Sequence, residues 1–491
     1  MAKHSKLALV SAIALALSAC AVGPDYQRPD TPFVEASFAQ ADQYSSEAAQ
    51  GALWEALGDA DLQQLIDRAR RENRDLALAL ARLNEVRALR GLTVYSLFPT
   101  VTAGADAERN KPSGRDPNLP PDVAQTNDSY RVGFDAIWEI DLFGSLKRQS
   151  EAIYRDTEAA RARLADTQRM VEAEVAQAYV ALRGTQARLK VQRRNVANLQ
   201  ENIDLLERML EAGRGTELDV SRQRALGLAV AASLPAQEAE VARLEQRLAV
   251  LTAQSVQALR ASIAAEAPLP MRTDLVAVGT PGEWLRRRPD VNAAERDLAA
   301  ATARIGVEVA ELYPKLNLTG AFGWTAASAG DLFEGDSERW RFGPVLSWSF
   351  LDYGRVKRRI HAAEARADQA LATFEQTVLR ALEETENALA GYRAAQQSAL
   401  ILAEASAQAD HALELARARL EAGASDYLVV LDAERTALDL RDQSLTAATN
   451  RATALVALYK ALAGDFVEVP QDDRILPEDW SMESSGRHGT H

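Results

Sequence analysis

Few side chains in this chain of 491 residues are equipped for chemistry. There is one thiol, Cys20, and there are five imidazoles, of which His488 and His491 sit together in "HGTH" near the C-terminus. A metal site needs three or four converging ligands, and His4, His361 and His411 are far apart in sequence. No nucleophile–base pair and no glycine-rich phosphate loop stands out. No active, cofactor or metal site is therefore legible in these residues. The reactive group left to explain is the lone thiol.

Its surroundings are specific. Lys3 and Lys6 precede the apolar run "LALVSAIALAL" (Leu7 to Leu17), which is too short to span a bilayer but suits an export signal. The run ends in "LSAC", which resembles the bacterial lipobox. There the thiol is alkylated by a diacylglyceryl group, and cleavage leaves Cys20 as the acylated, palmitate-bearing N-terminus. A plain signal peptide with a chance cysteine is the alternative. Each buried methylene contributes about 0.8 kcal/mol, so several chains anchor firmly. Ala21, rather than Asp, follows the cysteine, which by resemblance to other lipoproteins favours the outer membrane. Residues 1–19 are thus expected to be a signal peptide and 20–60 an acylated extended segment. A single cysteine excludes an internal disulfide framework.

The formal charge of −14 argues against a nucleic-acid partner. Beyond the N-terminus no run of about 18 apolar residues occurs, so a membrane crossing would have to be made by strands. Abundant Ala and only 6% aromatic residues suit long, closely packed helices.

An internal duplication organises the chain. "WEIDLFGSLKRQ" at Trp138 pairs with "WSFLDYGRVKRR" at Trp348, and "LEAGRGTELDV" at Leu210 with "LEAGASDYLVV" at Leu420, both 210 residues apart. "RALRGLTVYSLFP", ending at Pro99, pairs with "TARIGVEVAELYP", ending at Pro314, 215 residues on. The first copy accounts for the difference with its longer Pro-rich segment Lys111 to Asp122. The copies are read as 61–270 and 271–466, with a disordered polar tail over 467–491. Each runs helix, strand, loop, strand, long helix, turn, helix.

Strands are expected at about 99–109, 129–141, 315–325 and 339–351. Tyr130, Val132, Phe134, Ala136, Trp138 and Ile140 alternate with Arg131, Gly133, Asp135, Ile137, Glu139 and Asp141; the first strand alternates only weakly. Segments of 9–11 residues, apolar one way and polar the other, mark an outer-membrane barrel wall. A soluble half-buried antiparallel sheet has the same pattern. The lipid signal and four of the seven Trp favour the membrane reading. Trp138, Trp324, Trp340 and Trp348 lie in strands, as an aromatic belt requires. Four strands cannot close, and an open edge in lipid leaves backbone groups unpaired. Several chains must therefore share one barrel, with eight strands from two copies or twelve from three.

The long helices leave the sheet directly. Ser145 to Glu211 contains no Pro and spans about 100 Å. Val175, Leu182, Leu189, Val196, Ile203 and Leu210 recur every seventh residue within it, as a coiled-coil stripe. Arg355 to Glu421 matches it, and the helices stop at Gly213 and Gly423. A return helix is expected from Thr216 to about Ala261, and helices over Asp61 to Tyr95 and Gly282 to Leu312 fill the uncovered end.

"LSACAVGPDYQRP", "WEALGDADLQQLIDRARRENRDLALALARL", "RRRPDVNAAERDLAAATARIGVEVAELYPKLNLTGAFGW" and "ALYKALAGDF" resemble the TolC-like outer-membrane efflux factors, and among them the NodT-type (OprM-like) lipoproteins. The resemblance runs from Cys20 to about Phe466. It implies an α+β membrane protein: a homotrimer with a twelve-stranded outer-membrane barrel, four strands per chain, continuous with a periplasmic tunnel of coiled-coil helices. It implies a passive duct that carries drugs or other small toxic compounds from an inner-membrane RND-type pump, through a periplasmic adaptor (membrane fusion) protein, to the exterior. By the same resemblance Leu428 falls at an apolar constriction of the periplasmic gate, Asp432 at an acidic ring, and Asp219 at an acidic tip residue of the first hairpin. The hairpin tips, Gly213 and Arg214 with Gly423 and Ala424, fall where the adaptor docks. Val429 departs from TolC, which is acidic there, and "ALAGDF" departs from the usual Gly-Gly-Gly-Trp ending. Three symmetry-related carboxylates repel one another or hold a cation.

Plainer readings stand beside these. Gly213 and Gly423 serve as helix C-caps, and Asp219 and Asp432 also suit solvated helix surfaces. Lys147, Arg148, Lys357, Arg358 and Arg359 sit at helix starts, where the macrodipole disfavours cations; they face either inner-leaflet phosphates or solvent. A duct for type I protein secretion and a structural, periplasm-spanning lipoprotein are the alternative functions.

Overall fold

The computed structural model describes residues 21–30, 38–39, 57–113, 115, 126–264, 266–270 and 281–462. Cys20, most of the 20–60 segment and the tail beyond 466 lie outside the described residues. The elements run α1 (Ala60–Glu72), α2 (Arg74–Tyr95), β1 (Thr100–Asn110), β2 (Asn127–Ile140), α3 (Ser145–Glu211), α4 (Glu217–Ala231), α5 (Leu234–Leu251) and α6 (Val256–Ser262) in the first copy. The second copy has α7 (Pro281–Arg287), α8 (Pro289–Ala310), β3 (Lys315–Ala326), β4 (Glu338–Ser347), α9 (Tyr353–Glu421) and α10 (Tyr427–Ala461).

The four strands form one antiparallel sheet in sequence order, which leaves β1 and β4 as edges. Ladder partners share a face. One face therefore collects Val101, Ala103 and Ala105 with Val132, Phe134, Trp138, Leu318, Phe322, Trp324, Phe342 and Leu346. The other carries Thr102, Asp106, Arg131, Asp135, Glu139, Asn317, Thr319, Arg339 and Arg341. Pairing makes β1 as regular as the rest, although its small Ala residues hide the alternation in sequence. Across the central ladder Gly133 faces Gly323, and a Cβ on Gly323 would lie 2.3 Å from the Val132 carbonyl oxygen. The backbones meet there as only glycine allows, on the polar side of the sheet.

The duplication is exact in the ladders. Thr100 pairs with Ile137 as Lys315 pairs with Ser347. The Trp138 indole donates to the Leu97 carbonyl at 2.9 Å, and the Trp348 indole to the Leu312 carbonyl at 3.0 Å.

Several expected boundaries are corrected. β4 stops at Ser347, not 351, and places Trp348 outside the strand. β2 continues to Ile140 because Leu316 pairs with it from β3, whereas the corresponding stretch of β4 has no strand beyond it. The single return helix is three: Pro235 lies in the first turn of α5, and Ala253 takes φ 48° between α5 and α6. The helix expected over 61–95 breaks at Asn73, whose side-chain oxygen caps α2 and whose amide donates to the Leu251 carbonyl at 2.8 Å. The helix over 282–312 breaks at Arg288, because the residue before Pro289 is pushed out of the helical region. The seven-residue stripe on α3 also drifts. Val175, Leu182, Leu189 and Ile203 are buried, but towards the tip Leu199 and Leu206 join them and Leu210 is 37% exposed. A straight helix turns away from a strict heptad by about 20° per repeat.

The main core lies partway along the two long helices. Val175, Tyr179 and Leu182 of α3 and Phe374 and Val378 of α9 meet Leu62, Leu83, Leu248, Trp284 and Leu458 there. The sheet and the helix tips project from this belt in opposite directions along α3 and α9.

Candidate functional site

The two tips share a backbone built by glycine. Gly213 (φ 74°) and Gly423 (φ 70°) end α3 and α9 in the left-handed region. Arg214 N donates to the Met209 carbonyl at 2.8 Å, and Ala424 N to the Arg419 carbonyl at 2.8 Å. These bonds satisfy carbonyls that a helix end leaves orphaned. Arg214 and Ala424 are exposed.

Beyond the turns the tips differ. In the first, Thr216 caps α4: its hydroxyl accepts from Asp219 N at 3.2 Å and donates to the Asp219 carboxylate at 2.5 Å. In the second, Asp426 precedes α10 without a side-chain cap. Leu428 is 49% exposed, and the exposed Asp432 lies one turn further along the same face of α10. Asp219 is half-buried on α4 of the other hairpin, and its charge acts on Tyr427. Leu428 and Asp432 thus share one face of α10, and Asp219 belongs to a different helix. Burial, with the Glu434 charge second, pushes the Tyr427 phenol well above its usual range, and Arg417 opposes this.

Sequence reading missed the group that ties the tips together. Glu434 of α10 is 4% exposed. Its carboxylate accepts from Asn202 of α3 at 2.9 Å, from Gln223 of α4 at 3.0 Å and from Arg417 of α9 at 3.0 Å. One side chain therefore holds four helices. Its signal was in the repeat: the counterparts of Arg417 and Glu434, 210 residues back, are Glu207 and Arg224, an ion pair of opposite polarity.

At the sheet end the helix-start cations separate. Lys147 and Arg358 are exposed, whereas Arg148 is buried and does not face a lipid phosphate. It reaches the Asp25 carboxylate at 2.7 Å, Glu151 at 2.8 Å and the carbonyls of Val22 and Gly23 at 3.1 and 3.3 Å. Arg359 pairs with Glu308 and Glu311, and the Lys357 ammonium sits 5.0 Å above the Tyr353 ring. The strap from Ala21 is seated closely, since a Cβ on Gly144 would meet Ala21 at 2.6 Å and one on Gly23 would meet Gly306 at 2.4 Å. Trp340 is 75% and Trp348 55% exposed, Trp138 is 37% exposed, and Trp324 packs on Phe322 and Phe333. Trp138 and Trp348 lie toward the helices, and Trp324 and Trp340 toward the β3–β4 loop.

Comparison with known proteins accounts for this arrangement. The profile of the family described as "Outer membrane efflux protein" matches residues 65–254 and 280–464, one block in each copy. The chain is 33% identical over 470 residues to the outer membrane protein OprJ of Pseudomonas aeruginosa, covering 93% of this chain and 95% of that one. It is 30% identical over 478 residues to SrpC, a solvent efflux pump outer membrane protein of Pseudomonas putida, covering 92% and 96%. The structure of the outer-membrane channel OprN superposes with a TM-score of 0.85 at 39% identity, over 91% of this chain and 99% of that one.

Proposed function

Because the chain belongs to the outer membrane efflux protein family, we propose that it is the outer-membrane channel of a tripartite efflux system, built as a homotrimer. In this reading it receives small toxic compounds from an inner-membrane RND-type pump through a periplasmic adaptor and conducts them passively to the exterior. It resides in the outer membrane and extends into the periplasm, as its relatives do.

One observation carries the reading: a four-stranded sheet with one apolar face and two free edges, joined directly to helices of 67 and 69 residues. Free edges in lipid are costly, so β4 must meet the β1 of another copy. The duplication supplies the register. Carrying the β2–β3 ladder forward by the two repeat offsets sets Leu346 opposite the neighbour's Ala105 and extends β4 through Phe350. It also sets α9 against the neighbour's α2, as α3 packs on α8; among the described residues no comparable contact joins α9 and α2 within the chain. Twelve strands leave an open lumen, whereas eight fill with side chains, and a duct requires the former.

At the far end, threefold symmetry gathers Leu428 into an apolar constriction and Asp432 into an acidic ring, with Asp219 lining the first hairpin. The exposed turns at Gly213, Arg214, Gly423 and Ala424 present the adaptor-docking surface. Acylated Cys20 anchors the strap, and Trp138, Trp324, Trp340 and Trp348 mark the two membrane interfaces. Planar-bilayer recording of the purified oligomer tests this. The wild type shows small, infrequent openings, and Leu428→Ala with Asp432→Ala conducts more. Protein that never conducts in either form contradicts it.

A further inference from the structure

The duplication makes two cradles per chain, and among the described residues one strap. The first cradle is Gly144 and Arg148 of the first copy with Gly306 of the second, and it is filled by Ala21 to Asp25. The counterparts are Gly354 and Arg358 of the second copy, 210 residues on, and Gly91 of the first, 215 residues back. All three are open: neither glycine has an atom within 4 Å of where a Cβ would stand. Arg358 is exposed and has no side-chain partner among the described residues. Given the trimer proposed above, Gly354 and Arg358 come to face Gly91 of the partner subunit, as Gly144 and Arg148 face Gly306. The neighbouring helix closes the sides of the groove, and no second strap fills it among the described residues.

What fits follows from what Arg148 takes from the strap. Besides Glu151 on its own helix, its guanidinium holds one anion of the strap, the Asp25 carboxylate, and two strap carbonyl oxygens, from Val22 and Gly23. The strap leads back to Ala21, one residue from the lipid-attachment position, so this level is where acyl chains enter the membrane. An anionic phospholipid offers the same set: a phosphate, two ester carbonyls and acyl chains running toward the apolar face of the sheet. We infer that the groove at Arg358, between neighbouring subunits, binds an anionic phospholipid of the inner leaflet, its phosphate on Arg358 where Asp25 sits on Arg148. The guanidinium fork suits phosphate, and Lys357, held over Tyr353, adds charge beside it. The wall then carries two kinds of lipid foot in alternation, one covalent and one exchangeable.

Native mass spectrometry of the full acylated protein with phosphatidylglycerol tests this. Three retained phosphatidylglycerol molecules per trimer are expected, with phosphatidylcholine at the same concentration not retained. Arg358→Gln should weaken retention about tenfold, as loss of a charge-assisted bidentate contact does. Lys147→Gln, an exposed cation at the same level outside the groove, should not. Wild-type retention by Arg358→Gln, equal retention of phosphatidylcholine, or displacement by inorganic phosphate overturns the lipid site. The oligomer mass reads the trimer separately. A trimer whose phosphatidylglycerol does not depend on Arg358 overturns the site and leaves the trimer standing; a monomer contradicts both, because the groove needs the neighbouring subunit.

Discussion

The two hairpin tips are copies that kept their backbones and diverged in their side chains. Gly213 and Gly423 stop their helices with the same turn, and Leu218 and Leu428 are exposed to similar extents, 56% and 49%. At the next rung Glu207 pairs with Arg224 at the surface, whereas Arg417 pairs with a buried Glu434 that also holds Asn202 and Gln223. Asp219 corresponds to Val429, and Arg222 to Asp432. Position explains the divergence. The second hairpin packs on the first inside the chain, through α10 against α3 and α4, so its carboxylate was buried and had to be satisfied. The counterparts of Asn202 and Gln223 are Ala412 and Ala433. In the proposed trimer the second hairpin therefore has no such clasp to offer the first hairpin of a neighbouring subunit. The seam within the chain is polar and fixed, and the proposed seam between subunits lacks these partners.

Four predictions probe this asymmetry. The largest effect is expected from Glu434→Ala, which leaves three donors without their acceptor and costs about 2–4 kcal/mol locally. Hydrogen exchange over 199–223 and 413–437 should rise sharply, while Arg224→Ala, which breaks an exposed pair, shifts it by less than about 1 kcal/mol. Equal responses would dissolve the comparison. Next, Gly213→Ala and Gly423→Ala force a Cβ into the left-handed region and should each cost about 1–2 kcal/mol in thermal unfolding. A marked inequality between them would mean that the turns, too, have diverged. Exchanging the polarity of the outer pair, with Glu207→Arg and Arg224→Glu together, should stay within about 0.5 kcal/mol of wild type. The smallest effect concerns Tyr427, whose buried hydroxyl has no hydrogen-bond partner among the described residues. Its raised pKa means that the unfolded chain releases this proton first, so stability falls as pH rises above the ordinary phenol value of 10.0. Tyr427→Phe should remove that alkaline loss and be neutral or slightly stabilising at pH 7 in denaturant titrations.

Much of the fold was legible because its signals are local. Alternation drew the strands, the absence of Pro drew α3, and glycine drew the turns. The boundaries that slipped depended on partners elsewhere in the fold. Asn73 breaks a helix because its amide finds Leu251, and β4 is short because no strand lies beyond it. At the tips, Leu428 and Asp432 could be placed by resemblance and spacing, but Glu434 looked like any charge on a helix. Its burial depends on three other helices, and only comparison of the two copies carried a trace of it. Arg148 misled for the same reason, since its partner Asp25 is 123 residues away.

The central claim is that β4 closes on the β1 of another copy in the register the duplication dictates. With Leu346→Cys and Ala105→Cys in one chain, oxidation of membrane-embedded protein should yield a covalent trimer on a denaturing gel, and either substitution alone should leave monomers. A ladder ending at a covalent dimer, or cross-linking only when the partner position is moved by two residues or more, would contradict the account.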